Sequence, residues 1–318
     1  MDHGRCPGAI DIPVVLGYHR LILKEKGNLR NGRIPFRKLA SLYNRVYAAA
    51  IHTGKRLLMD NVNKTLYIPL YGKAYVSRRG LLLQDKKAEE IWEKEGFSLK
   101  GKGKSKWIAY NMAMRSVVFD CWTRRQLQVC PHAVVLHLGC GLDSRCIRVK
   151  TRGCQWFDVD FPEVMVARKQ YFEEIEGYHM VGADIREEAW LARIPGDRTA
   201  IIIMEGVSIY LTPEELKAVL RRWNEHFREV HILLDSYTVF GTKAAKYKNP
   251  IHEVGVTQVY GLEDPRKLEE GSGLSFVREL SLTPAELIKQ LPKWEQGFFR
   301  AMFAGKLAKK IYRLYEYQ

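Results

Sequence analysis

The stretch that most constrains this chain is Ala133-Val134-Val135-Leu136-His137-Leu138-Gly139-Cys140-Gly141-Leu142-Asp143-Ser144-Arg145. Five of its first six residues are apolar, as expected for a strand buried on both faces of a parallel sheet. At Gly139 and Gly141 the missing Cβ lets the backbone turn tightly and approach a ligand. Further on, Trp156-Phe157-Asp158-Val159-Asp160 repeats the pattern of a short apolar strand ending in acids. A buried strand, a glycine turn and an acid at the end of the next strand are the parts of a nucleotide-binding βαβ unit.

The flanking sequence extends that unit. Strands are predicted at 133–138, 155–159, 178–182, 200–204 and 231–235, with helices between them. One of those helices is opened by Pro213, with Thr212 as its N-cap. A candidate strand at 274–280 and a terminal piece at 311–317, which alternates like a half-exposed strand, bring the total to seven. The pattern is that of an α/β fold with a doubly wound, mostly parallel seven-stranded sheet. Upstream, Leu39, Leu42, Tyr43, Val46, Tyr47 and Ala50 form one helical stripe within 35–64. Residues 65–74 form a short apolar and aromatic piece, 85–95 a charged helix and 107–128 a long one. Gly101-Lys102-Gly103-Lys104-Ser105-Lys106 reads as a basic, flexible, solvated connection. Residues 1–64 are therefore expected to form a helical, loosely ordered extension to a domain over 65–318.

Charge and cysteine usage narrow the function classes. The net charge is +15, and residues 1–110 hold 22 Lys and Arg against 9 Asp and Glu. The last 26 residues hold 6 against 2, so the middle of the chain is close to neutral. Such basic ends read as solvated faces that draw in an anionic substrate, with a membrane surface or nucleic acid as the alternative. No run approaches the roughly 18 apolar residues of a membrane span, and the first residues do not read as a secretory signal. None of the six cysteines forms a C-x-x-C pair, so reduced thiols, no metal site and a cytoplasmic location are expected.

Two nucleotide ligands compete for the glycine turn. The dinucleotide fingerprint has a third glycine where this chain has Ser144. Strands also end at or next to Asp160, Asp184, Glu205 and Asp235, and ligands bind at the carboxyl ends of such strands. A pyrophosphate needs donors rather than a ring of carboxylates. A sulfonium carrying an adenosine suits an acidic crevice better, so S-adenosylmethionine is the expected cofactor in place of NAD.

Several segments together resemble the leucine carboxyl methyltransferase family of class I S-adenosylmethionine-dependent methyltransferases. They are Leu138 to Arg145, Asp158-Val159-Asp160-Phe161-Pro162-Glu163-Val164 and Met204-Glu205-Gly206-Val207-Ser208-Ile209-Tyr210-Leu211. Upstream, Ile68-Pro69-Leu70-Tyr71-Gly72-Lys73-Ala74 and Met114-Arg115-Ser116-Val117-Val118-Phe119-Asp120 correspond as well. The resemblance runs from about residue 65 to the C-terminus and implies a Rossmann-like fold. It implies that Gly139 and Gly141 face the cofactor, Asp160 holds the ribose, Asp184 and Ile185 lie beside the adenine, and Glu205 lies near the methionyl end. It also implies that Arg115 contacts the cofactor carboxylate and that Lys73 is a basic cofactor contact. Ser144 stands where the family has Thr, and His137 where many members have Asn. His137 reads as a packed strand histidine rather than a base.

Methyl transfer is an in-line displacement governed by alignment, and a carboxylate acceptor needs no general base. The expected enzyme is an O-methyltransferase of a small molecule, acting on a carboxylate or hydroxyl, with Tyr71, Tyr210 and Tyr237 as candidate acceptor-pocket residues. The alternatives are methylation of a protein C-terminus or a modified tRNA, and a non-catalytic S-adenosylmethionine-binding protein.

Overall fold

A computed structural model describes residues 66–97, 99, 104–149, 153–248 and 259–318, all within the unit Asp60–Gln318. The helix predicted over 35–64, the boundary at 64, Cys6 and residues 101–103 of the basic loop lie outside the described residues. Residues 66–77 are helical (α1), so the aromatic piece expected at 65–74 is part of a helix. Lys86–Glu95 (α2) and Lys106–Val129 (α3) follow. The alternating part runs Val134–Leu138 (β1), Arg145–Val149 (α4), Gln155–Asp160 (β2), Pro162–Arg168 (α5), Tyr178–Gly182 (β3), Thr199–Met204 (β4), Pro213–His226 (α6), Glu229–Thr238 (β5) and Val239–Lys248 (α7). The C-terminal part comprises Gly261–Leu262 (β6), Phe276–Leu280 (β7), Ala285–Ile288 (α8), Lys293–Phe303 (α9), Lys306–Lys309 (α10) and Tyr312–Tyr317 (β8).

Local chemistry sets several of these boundaries. The Asp85 carboxylate accepts from Ala88 N–H at the start of α2, and Ser105 Oγ accepts from Trp107 N–H at the start of α3. Thr212 and Glu215 form a reciprocal capping box around Pro213 in the first turn of α6.

The strand order is β3-β2-β1-β4-β5-β8-β7. β1 to β5 pair in parallel, and β8 runs antiparallel between β5 and β7. The predicted seven strands form this path, and β6 is an eighth. It pairs with β5 at Tyr237 and Thr238, beyond the point where β4 ends opposite Leu234. A Cβ on Gly261 would lie 2.7 Å from the Tyr237 carbonyl oxygen, so the approach of β6 requires glycine.

The terminal strand is not half-exposed as predicted. Leu314, Tyr315, Glu316 and Tyr317 are all buried, because β8 is an interior strand. Glu316 is tolerated there because Trp122 Nε1 donates to it at 2.8 Å and Arg278 Nε at 2.6 Å. The charges of the alternating pattern have instead moved to β7, whose Val277, Arg278 and Glu279 are exposed at the sheet edge.

Alternation along the strands builds a core on each face of the sheet. Val134, Leu136 and Leu138 pack toward Trp223 of α6 on one face. Val135, Ile201 and Leu233 pack toward Trp122 of α3 and Trp156 on the other. The two helical layers leave the carboxyl ends of β1, β2, β4 and β5 open toward α1, and the cavity lies there.

Candidate active site

A cavity of about 1030 Å³ opens over these strand ends. Its floor is the turn after β1, where Gly139 and Gly141 have φ of 59° and 51°, the left-handed region that favours glycine. A Cβ on Gly139 would collide with Val207 Cγ2, and one on Gly141 would lie 2.6 Å from Leu66 Cδ2. The turn is thus a cradle that side chains would fill. Gly141 N–H donates to Asp160 Oδ2 at 2.8 Å, which ties the turn to the end of β2. Phe161 N–H donates to Asp160 Oδ1 at 2.8 Å. Burial pushes the Asp160 carboxyl up to about 6, against the pull of these two N–H groups.

The four acids do not form a bare ring. Asp160 and Glu205 line the cavity, whereas Asp235 lies behind Arg115, accepting from its Nη1 at 3.1 Å and from Gly206 N–H at 2.7 Å. Asp184 accepts from Arg186 Nε at 3.0 Å and is not on the cavity wall, and Ile185 packs into the core. Glu205 accepts from Arg115 Nε at 2.9 Å, from Ser116 Oγ at 3.0 Å and from Arg145. Burial pushes the Glu205 carboxyl up, but Arg145 and Arg115 more than offset this and hold it at about 2. Of the four strand-end acids expected to converge on one crevice, two line it, and the buried Glu205 and Asp235 are paired with arginine.

Beneath the turn these pairs continue as a network. Lys73 of α1 meets Asp143 at 3.1 Å. Arg145 Nε donates to Asp120 at 2.7 Å. Arg148 joins Asp85, Asp120 and Asp143 at 2.6, 2.8 and 2.7 Å. Ser144 Oγ donates to Asp85 Oδ1 at 2.6 Å, so its hydroxyl supports the turn from below. Arg115 uses Nε and Nη1 on Glu205 and Asp235. Its Nη2, close to Gly206, has no hydrogen-bond partner among the described residues.

His137 has both ring nitrogens engaged. Arg145 Nη1 lies 3.1 Å from Nε2 and can only donate to it, so Nδ1 carries the proton shared with Asp158 at 3.0 Å. Burial lowers the pKa and keeps the ring neutral. His137 therefore braces the turn.

Away from the turn the wall is mainly apolar. Ile68, Met112 and Ile209 line it together with Tyr210, Tyr237 and Tyr312. Tyr237 and Tyr312 meet edge to face at 4.7 Å. Tyr210 is the most open of the three, at 39% exposed. Tyr71 is not on this wall, which corrects its assignment as a pocket residue. Two helical positions from Lys73, it points to the opposite side of α1, meeting Trp92 at 5.2 Å and donating to the Lys104 carbonyl at 3.1 Å.

Sequence reasoning missed the ionic support: Asp85, Asp120, Arg148 and the Asp158–Arg168 pair. Its signal was present in α3, where Arg115 and Asp120 interrupt an apolar stripe of Met114, Val118, Phe119 and Trp122. Among the described residues, Cys130, Glu229 and His231 bring three metal-ligand atoms within 4.8 Å of one another, at the amino end of β5 and away from the cavity. No helix among the described residues is long and apolar enough to cross a membrane.

The family model described as leucine carboxyl methyltransferase matches residues 40–224, starting upstream of the resemblance expected from residue 65. Tetracenomycin polyketide synthesis O-methyltransferase TcmP of Streptomyces glaucescens is 31% identical over 271 residues, covering 82% of this chain and 98% of that protein. The S-adenosyl-L-methionine-dependent methyltransferase dpfgK of Gibberella zeae is 32% identical over 173 residues, covering 50% of this chain and 58% of that protein. Among solved structures, magnesium protoporphyrin IX methyltransferase of Synechocystis PCC 6803 aligns with a TM-score of 0.44 at 15% identity, covering 72% of this chain and 93% of that one.

Proposed function

The chain belongs to the leucine carboxyl methyltransferase family, and from that premise we propose that it transfers a methyl group from S-adenosylmethionine to an oxygen of a small-molecule acceptor. One observation carries the reading. The turn at Gly139–Gly141 is joined to Asp160 at the floor of a cavity whose other walls are mainly apolar. A glycine cradle beside a strand-end carboxylate fits the adenosine of the cofactor, and Asp160 is assigned to the ribose hydroxyls. Arg115, through Nη2, and Lys73 are assigned to the methionyl carboxylate, with Glu205 holding Arg115 in place. Asp184 and Ile185, beyond the end of β3, are assigned to the adenine side.

When bound, the cofactor supplies an electrophilic sulfonium methyl. The protein's task is to exclude water and to hold the acceptor oxygen in line with it. Tyr210 and Tyr237, with Tyr312, are assigned to the acceptor. His137 is committed to Asp158 and Arg145 and cannot take an acceptor proton. An acceptor already ionised at neutral pH fits this arrangement, which favours a carboxylate over a phenol.

Titration calorimetry with S-adenosylmethionine tests the reading, followed by transfer of labelled methyl to aromatic carboxylic acids and to the matching phenols. Binding to the native chain, lost in Asp160→Ala, and turnover on the acids are expected. Binding of NAD in place of S-adenosylmethionine would overturn the proposal. Turnover confined to phenols, with a rate rising as the phenol ionises, would move the acceptor assignment to a hydroxyl.

A further inference from the structure

From the surface beside the cavity we infer that the chain docks peripherally on anionic lipid bilayers through α9 and α10. Trp294, Phe298 and Met302 recur every four residues along α9 and are 74%, 49% and 58% exposed; Leu307 of α10 is 65% exposed. At 100° per residue the three α9 side chains share one solvent face. Trp107 at the start of α3 extends the patch, with its ring 4.5 Å from that of Phe298.

The charge along this segment is mainly positive, although Glu286 of α8 is exposed just before it. Lys289, Lys293, Arg300, Lys306, Lys309 and Lys310 are all exposed. Between 289 and 310 the sole acid is Glu295, which is buried and bound by Lys106 Nζ at 2.7 Å. Lys106 also lies over the Trp294 ring at 4.4 Å. Large apolar tips fringed by lysine and arginine suit the headgroup region of a membrane, where apolar side chains enter the acyl boundary and cations meet phosphates. A protein partner would have to match both the apolar tips and the net positive charge beside them.

Position adds a second reason. Met302, Leu307 and Lys309 also line the cavity, so the exposed patch runs into its mouth. Docked by this face, the cavity opens toward the bilayer, and an apolar acceptor dissolved there reaches it without crossing water.

Flotation of the full chain with phosphatidylcholine vesicles, with and without about 30% phosphatidylglycerol, tests the inference. Retention on the anionic vesicles alone, falling steeply as salt rises, is expected. The pair Trp294→Ser and Phe298→Ser, and separately the triple Lys289→Glu, Lys293→Glu and Arg300→Glu, should each weaken retention roughly tenfold or more. None of these side chains lines the cavity, so S-adenosylmethionine binding by calorimetry should be unchanged in both variants. Absence of retention, or retention indifferent to both variants, would overturn the inference. So would a concentration-dependent dimer that the Trp294/Phe298 pair dissolves, because the face would then join two copies. The calorimetry reads the methyl-donor assignment separately, so failure of one reading leaves the other standing.

Discussion

Asp160, proposed to hold the cofactor's ribose, gives the reading a test at a single carboxyl. Its burial raises the pKa to about 6 although two backbone N–H groups favour the ionised form. On the proposed assignment the ribose hydroxyls donate more strongly to the carboxylate than to the neutral acid, so binding favours the deprotonated form. Affinity for S-adenosylmethionine should be level above pH 6 and fall roughly tenfold per unit below it, as calorimetry between pH 7.5 and 5 would show. Asp235 is also raised to about 6 by burial. An Asp235→Asn variant that removed the slope would move the effect to that residue. For stability the sign is opposite to that of a salt-bridged acid: a raised carboxyl pKa costs folding free energy as pH rises from about 4 to 6. Gly139 tests the turn in another way. Gly139→Ala places a methyl against Val207 in a left-handed backbone conformation, so cofactor affinity should drop at least ~tenfold. Gly139→Ala with Val207→Ala should recover part of that loss, because the collision is relieved and the strain at φ is not.

The strand-end turn is held from below by α1, α2, α3 and α4 through ion pairs that are largely buried. Arg148 on α4 touches Asp85 at the start of α2, Asp120 on α3 and Asp143 in the turn. Removing it leaves three buried acids short of a partner, and breaking such a cluster costs about 3–5 kcal/mol. Urea unfolding of Arg148→Met should show a loss of that order, little affected by salt because the pairs are buried. A loss under 1 kcal/mol would mean that the acids find other partners. The pattern of each element was readable where the period was clear, as in β1 and in α6 with its Thr212 cap. The network was not readable, because residues 63 positions apart, such as Asp85 and Arg148, carry no local sign of their meeting.

At the scale of the whole molecule, the last strand decides whether the sheet closes. β8 lies between β5 and β7, and its Tyr315 and Tyr317 are fully buried. A chain ending at Ile311 should lose cooperative folding, seen as loss of near-ultraviolet circular dichroism and of S-adenosylmethionine binding together. A folded, cofactor-binding truncation would contradict the interior placement of β8. The alternating side chains of this strand suggested partial exposure, because alternation reports two different faces and does not say what covers them. Tertiary structure covered both.

By itself the sequence determined the parallel sheet, the glycine turn and the position of Asp160 at the next strand end. Those are local patterns: apolar runs, glycine positions and strand-end acids follow from backbone geometry and hydrophobic burial within a few residues. The tertiary structure decided the electrostatics. It paired Glu205 and Asp235 of an apparent ring of carboxylates with Arg115 and Arg145, left Asp160 on backbone N–H groups, set Asp184 beside Arg186, and sent Tyr71 to the far side of its helix. Buried charge must be paired wherever the chain folds back on itself, and the identity of each partner emerges only once distant segments meet.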